Sequence, residues 1–176
     1  MTWKHFHKPA ALLQVLAAAA CITVASCSRD AGRTGGKSMN EITSVEIHKS
    51  ERRMILYSGD VAVRGFDVGL GSSPVGHKQE RGDGRTPVGT YIIDRQNPNS
   101  RFHLSLGISY PNEVDRQVAE ILGKDPGDNI FIHGEPNNFR RRPGRDWTDG
   151  CIAVTNREMD YIFRTVKVGT PVQIYH

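Results

Sequence analysis

The run Asp146-Trp147-Thr148-Asp149-Gly150-Cys151-Ile152-Ala153-Val154-Thr155-Asn156 decides how this 176-residue chain is read. A Gly-Cys turn leads into a short apolar strand, Ile152 to Thr155. A helix then opens without a break. Thr155 and Glu158 make a Thr-x-x-Glu capping box, which satisfies backbone N–H groups at a helix start. Met159, Ile162, Phe163 and Val166 recur on one face as far as Lys167, so the helix has a side to bury. Its packing would hold Cys151 in place.

Upstream, Asn129 to His133 reads as an apolar strand that ends on His133 and is followed by Gly134. Thr43 to His48, Met54 to Tyr57, Val61 to Val68, Gly89 to Asp94 and Pro171 to Tyr175 complete about seven strands. Lys49-Ser50-Glu51 and Ser58-Gly59-Asp60 are turn signals. Gly69 to Pro87, rich in Gly, Pro, Ser and charge, reads as a long ordered loop of the kind that often carries function. Asn112 to Leu122 reads as a second helix, with Val114, Val118, Ile121 and Leu122 expected on its buried face and Gly123 after its end. The expected fold is mainly β with two short helices.

The first 26 residues read as an export signal: Lys4 and Lys8, then an uncharged apolar stretch from Ala10 to Ser26. Residues 27–40 read as a flexible tether rich in Gly, Ser, Arg and Asp. Residues 41–176 are the size of one domain with one core. Removing Lys4 and Lys8 from the 23 basic residues leaves 21 against 19 acidic ones, a balance that gives no argument for nucleic acid. Arg140, Arg141, Arg142 and Arg145 form a local cluster placed to meet an anionic ligand, although charge runs are commonly solvated loops. His48, His77, His103, His133 and His176 are scattered, without the paired spacing of a zinc site, so no metal is expected.

Cys21 and Cys27 belong to the export region, which leaves Cys151 the single thiol of the globular part. An unpaired thiol in an oxidising compartment is a candidate nucleophile. His133 is the candidate base, able to take the thiol proton and hold a thiolate–imidazolium pair. The Gly134 carbonyl is placed to orient its ring. A tight turn at Gly150 would aim the N–H groups of Gly150 and Cys151 at an oxyanion. Thr148 is a candidate to order that turn, and Trp147 to pin the loop.

These blocks resemble a known family. His133-Gly134 followed by Thr148-Asp149-Gly150-Cys151 is similar to the signature of the L,D-transpeptidase catalytic domain (the YkuD family). Pro74-Val75-Gly76-His77-Lys78, Gly82-Asp83 and Thr86-Pro87-Val88-Gly89-Thr90-Tyr91 resemble further blocks in the right order, and the likeness covers Ser44 to Tyr175. Two positions depart from the pattern: Asp149 stands where the family has a second His, and Ala153 where it has Arg or Asn. The run around Cys151 looks most like a branch that includes an amidase detaching a lipoprotein from peptidoglycan.

The resemblance implies an L,D-transpeptidase-like β-sandwich with Cys151 as nucleophile and His133 as proton donor and acceptor. It implies a thioester at the third residue of a peptidoglycan tetrapeptide stem, and no cofactor. Transfer to an amine is the first expectation. Hydrolysis at the same site and a non-catalytic wall-binding lipoprotein are the alternatives. Arg140 and Arg142 are expected to meet stem-peptide carboxylates. Tyr110, with Phe102 and His103, resembles a pocket-lining stretch. Val24-Ala25-Ser26-Cys27 resembles a bacterial lipobox, which implies lipidation of Cys27 and an anchor facing the periplasm, with Ser28 pointing to the outer membrane. The alternative is a soluble periplasmic protein.

Overall fold

The computed structural model describes residues 41–138 and 144–176. The expected signal, the Cys27 lipidation site and the tether lie outside the described residues, as do Arg140, Arg141 and Arg142. The elements are β1 (Ser44–His48), β2 (Arg53–Ser58), β3 (Val61–Asp67), β4 (Gly89–Ser100), β5 (His103–Ile108), α1 (Glu113–Ile121), β6 (Phe131–His133), β7 (Ile152–Ala153), α2 (Asn156–Thr165) and β8 (Pro171–Tyr175).

The fold is mainly β with two helices, as the sequence leads one to expect. All eight strands join in the order β3-β2-β1-β8-β4-β5-β6-β7. β8 inserts between β1 and β4, parallel to the first and antiparallel to the second. β4 belongs to both halves of the sheet: Gly89 to Ile92 pairs with β8, and Ile93 to Ser100 pairs with β5 through two register shifts. Such irregularities bend a strand.

The sheet curls until its ends meet. Beyond β3, Gly69 bridges Ala153 of β7 and Gly71 bridges Thr148. A Cβ on Gly69 would lie 2.2 Å from the Arg145 carbonyl oxygen and one on Gly71 2.1 Å from that of Gly84, so only glycine permits this closure. One apolar cluster fills the interior, with Val45, Ile47, Leu56, Ile93, Leu106, Ile132 and Ile174 fully buried and Met159 and Ile162 added from α2.

Three expectations are corrected. β4 runs on to Ser100, and His103 to Ile108 forms a strand where none was expected. That segment has only partial alternation, and its pairing with β4 and β6 decides its state. The third concerns α1, whose apolar residues face outward: Val114, Val118, Ile121 and Leu122 are exposed, while Asp115 and Ala119 are buried. A polar contact outweighs the stripe. Asp115 accepts hydrogen bonds from the Tyr91 hydroxyl at 3.0 Å and from the Asn112 N–H at 2.9 Å. His77 Nδ1 accepts from the Val88 N–H, which leaves Nε2–H to face Asp115 at 3.3 Å.

The long loop after β3 is ordered by buried charges. Lys78 donates to Asp83 at 2.8 Å, and Asp83 also accepts from the N–H groups of Gln79, Glu80 and Arg85. Burial pushes the Asp83 carboxyl up, but these donors outweigh it and hold the group at about 2. The buried Lys49 donates to the carbonyls of Gly76 and Thr86. Burial first, then Arg85 and Arg52, lower the Lys49 ammonium to about 8.

Candidate active site

β6 and β7 are parallel neighbours, with Ile132 opposite Ile152 and His133 opposite Ala153. One step back in the same register, Cys151 faces Phe131. Side chains alternate along a strand, so Phe131, His133 and Cys151 share one face of the sheet. All three line a cavity of about 420 Å³. The structure therefore brings the two expected reacting residues to one cleft.

His133 is buried, and its Nδ1–H donates to the Gly134 carbonyl at 2.7 Å. This fixes the tautomer and leaves Nε2 as the basic nitrogen. Phe102 lies 4.6 Å from the imidazole between ring centres, and Trp147 meets it edge-on at 5.7 Å. Trp147 thus reaches the candidate base itself. Gly134 is required for close approach, because a Cβ there would sit 2.6 Å from Asn156 Oδ1. That same Asn156 oxygen accepts the Glu135 N–H at 2.7 Å, so the start of α2 secures the His-Gly turn.

Cys151 is partly exposed. Its thiol lies 3.6 Å from the Asn129 carbonyl, an acceptor that favours the protonated form. Burial raises the thiol above its ordinary value, against the Phe131 N–H and with the help of the Asp149 charge. Burial lowers His133 below its ordinary value, against the bond to Gly134. Both shifts favour a neutral thiol and a neutral imidazole. Burial thus works against a resting thiolate–imidazolium pair, with Lys78 as the opposing charge on the thiol side.

The turn before Cys151 is built from its own side chains. Thr148 is buried; its hydroxyl donates to the Cys151 carbonyl at 2.7 Å and accepts the Gly150 N–H at 3.2 Å. The Gly150 N–H is thus engaged within the turn, unlike the expectation of two free donors. Among the described residues the Cys151 N–H has no protein acceptor and remains the available donor. Gly150 has φ +129, and a Cβ there would lie 2.6 Å from the Arg85 carbonyl. The loop's entry is anchored by Asp146, which accepts from Arg52 Nη2 at 2.9 Å and from the Leu70 N–H at 3.1 Å. No local motif announces the Arg52–Asp146 pair, whose members are 94 residues apart.

The opposite wall comes from the end of β4 and the turn into β5, with Asn97, Asn99, Ser100, Arg101 and Phe102. Reading Gly89 to Asp94 as the whole strand hid these residues. Phe102 reaches the cleft as expected. His103 turns away to pair with Asp160 at 2.7 Å. Tyr110 is also elsewhere: it is buried, and its hydroxyl donates to the Pro126 carbonyl at 2.8 Å. Arg145 lines a different hollow, beside Trp147 and Ala153.

Residues 42–174 match the family model of the YkuD L,D-transpeptidase catalytic domain, and the chain belongs to that family. It is 30% identical over 128 residues to YafK of Escherichia coli K12, itself only provisionally assigned as an L,D-transpeptidase; the match covers 69% of this chain and 46% of YafK. The fold is similar to that of the helical cell shape determining protein Pgp2 from Campylobacter jejuni (TM-score 0.64, 27% identity, 77% of this chain and 48% of Pgp2). Bd1075 of Bdellovibrio bacteriovorus shares the fold at 21% identity and a TM-score of 0.57, over 77% of this chain and 48% of its own. The chain spans about half the length of these relatives.

Proposed function

We propose that this chain is a peptidoglycan L,D-transpeptidase acting by cysteine acyl transfer. The observation that carries this reading is the His133 tautomer, locked by Gly134 in a cleft that also presents Cys151. The neutral thiol gives its proton to His133 Nε2 as sulfur attacks the carbonyl of the third, diamino acid residue of a tetrapeptide stem. The oxyanion meets the Cys151 N–H. Collapse breaks the bond to the terminal D-alanine, whose amine takes the proton from His133, and a thioester remains. An amine acceptor then attacks the thioester and gives a proton to His133. The new amide forms as the thiol leaves and is reprotonated. The buried imidazole suits this role because it is neutral and basic when each nucleophile arrives.

The test is incubation with disaccharide tetrapeptide and excess D-amino acid, read by mass spectrometry. The exchanged tetrapeptide is expected, and Cys151→Ala abolishes it. Tripeptide alone would make the protein a hydrolase, and release of a wall-bound lipoprotein from sacculi would make it an amidase. Unchanged turnover in Cys151→Ala would leave neither. A carbapenem is expected to add its mass at Cys151.

The lipobox-like Val24 to Cys27 supports an anchored, periplasm-facing protein. Cys27→Ser is expected to abolish labelling by radioactive palmitate. Persistent labelling would refute the anchor at Cys27.

A further inference from the structure

The cleft carries two opposite charges, one on each wall. Asp149 stands beside the nucleophile on the Cys151 turn, and Arg101 stands on the turn between β4 and β5. Both are exposed. Among the described residues neither side chain has a hydrogen-bonding or ion-pairing partner. Two neighbouring cations are already engaged. Lys78 is held by Asp83, and Arg52 by Asp146. The rest of the wall is neutral: the amides Asn97 and Asn99, and the rings of Phe102, Phe131 and Trp147.

Asp149 is costly where it stands, since a carboxylate near the reacting sulfur opposes the negative charge that develops there. That cost vanishes when a cation binds at Asp149. An ammonium there cancels the repulsion and adds attraction in a site from which the ligand expels water. Arg101 offers the matching fork for a carboxylate. A ligand that satisfies both within this cavity of about 420 Å³ carries both an ammonium and a carboxylate.

We propose that Asp149 and Arg101 are specificity residues that read a free zwitterionic amino-acid end, Asp149 taking the ammonium and Arg101 the carboxylate. The inference rests on the acyl-transfer reading above and names the residues of the same cleft that read the charged end of its substrate. Such an end has two sources: the side-chain terminus of a diamino acid in the donor stem, or a free D-amino acid as acceptor. Occupation by the ammonium also couples recognition to reactivity, because the nucleophile is relieved of its negative neighbour only when the right substrate is in place.

The test uses the full chain, with Asp149→Asn and Arg101→Gln. In the donor arm, tetrapeptide donors carry the diamino acid terminus free, N-acetylated or amidated at its carboxyl. In the acceptor arm, D-alanine is compared with D-alanine amide. For wild type, blocking either charge in the arm that matters is expected to lower kcat/KM roughly ten- to hundredfold, the range of a charge-assisted hydrogen bond. Asp149→Asn is expected to collapse the ratio of free to N-acetylated donor toward one while keeping the amide discrimination. Arg101→Gln is expected to do the reverse. A collapse confined to the acceptor arm, where Arg101→Gln erases the preference for free D-alanine over its amide, assigns the site to the acceptor. Equal ratios in wild type and both variants, in both arms, overturn the proposal while leaving acyl transfer intact. A wild type that turns over no stem peptide at all overturns the acyl-transfer reading, and this inference with it. Both side chains are exposed, so an unchanged melting temperature is expected and serves as the folding control.

Discussion

The Thr148 hydroxyl donates to the carbonyl of Cys151 at 2.7 Å while accepting the N–H of Gly150, so one buried side chain closes the turn that presents the Cys151 thiol. Thr148→Val keeps the shape and removes both bonds. It is expected to cost about 1–3 kcal/mol of stability and to slow carbapenem acylation of Cys151 at least tenfold. Thr148→Ser is expected to restore most of the acylation rate. Equal rates in wild type and Thr148→Val would mean that the turn is held by other contacts.

Burial lowers His133 and raises Cys151, and both shifts favour the neutral forms. Activity is lost on the acid side only when His133 takes a proton, and its lowered value moves that limb below the ordinary histidine value of about 6.5. The alkylation rate of Cys151 by iodoacetamide should keep rising with pH beyond the ordinary thiol value of about 8.5. Full alkylation at pH 6, at a rate insensitive to pH, would reveal a resting thiolate.

Asp146 ties the Cys151 loop to Arg52, just before β2, and to the closing segment at Leu70. Its pair with Arg52 is largely shielded, with side-chain exposures of 20% and 22%. Asp146→Ala leaves Arg52 and the Leu70 N–H without this acceptor. The expected cost is about 2 kcal/mol, read by urea denaturation. A loss below about 0.5 kcal/mol would place the anchor elsewhere.

Asp83 sets an acid limit. Its folded value of about 2 lies below the ordinary aspartate value of 3.8, so the unfolded chain binds the proton more readily. The stability it contributes is complete above pH 4 and is lost as pH falls through 4 toward 2. Asp83→Asn should therefore flatten the pH dependence of the melting temperature in that window. The same slope in variant and wild type would assign acid unfolding to other carboxyls.

On α1 the structure predicts that the polar residue matters more than the apolar ones. Ile121 is 84% exposed and Asp115 is 7% exposed. Ile121→Lys should change stability by less than about 0.5 kcal/mol, the usual range for surface positions. Asp115→Ala should cost about 1–3 kcal/mol, because a helix cap and the partners of Tyr91 and His77 go together. The opposite ranking in thermal melts would show that α1 buries its apolar face in solution.

The two helices were legible because their signals are local. Asn112 with Asp115 and Thr155 with Glu158 close capping boxes within one turn. β1, β2, β3 and β8 announce themselves by short β-branched runs between turn residues. β5 does not, since its state depends on partners reached only through the β4 hairpin and β6. Which face of α1 turns inward was equally hidden: the choice was made by Tyr91 and His77, which lie more than twenty residues away.

For the site, the sequence by itself determined the candidate nucleophile, its candidate base, the glycine at the turn and the family blocks around them, because residue identity and short spacing carry that chemistry. Tertiary structure alone decided the environment. The parallel pairing of β6 with β7 put His133 and Cys151 on one face. Burial favours the neutral form of each, and the β4–β5 hairpin brought Arg101 into the cleft with Asp149, while Tyr110 is held against the Pro126 carbonyl. Desolvation and the convergence of distant charges depend on which strands become neighbours, and only folding fixes that.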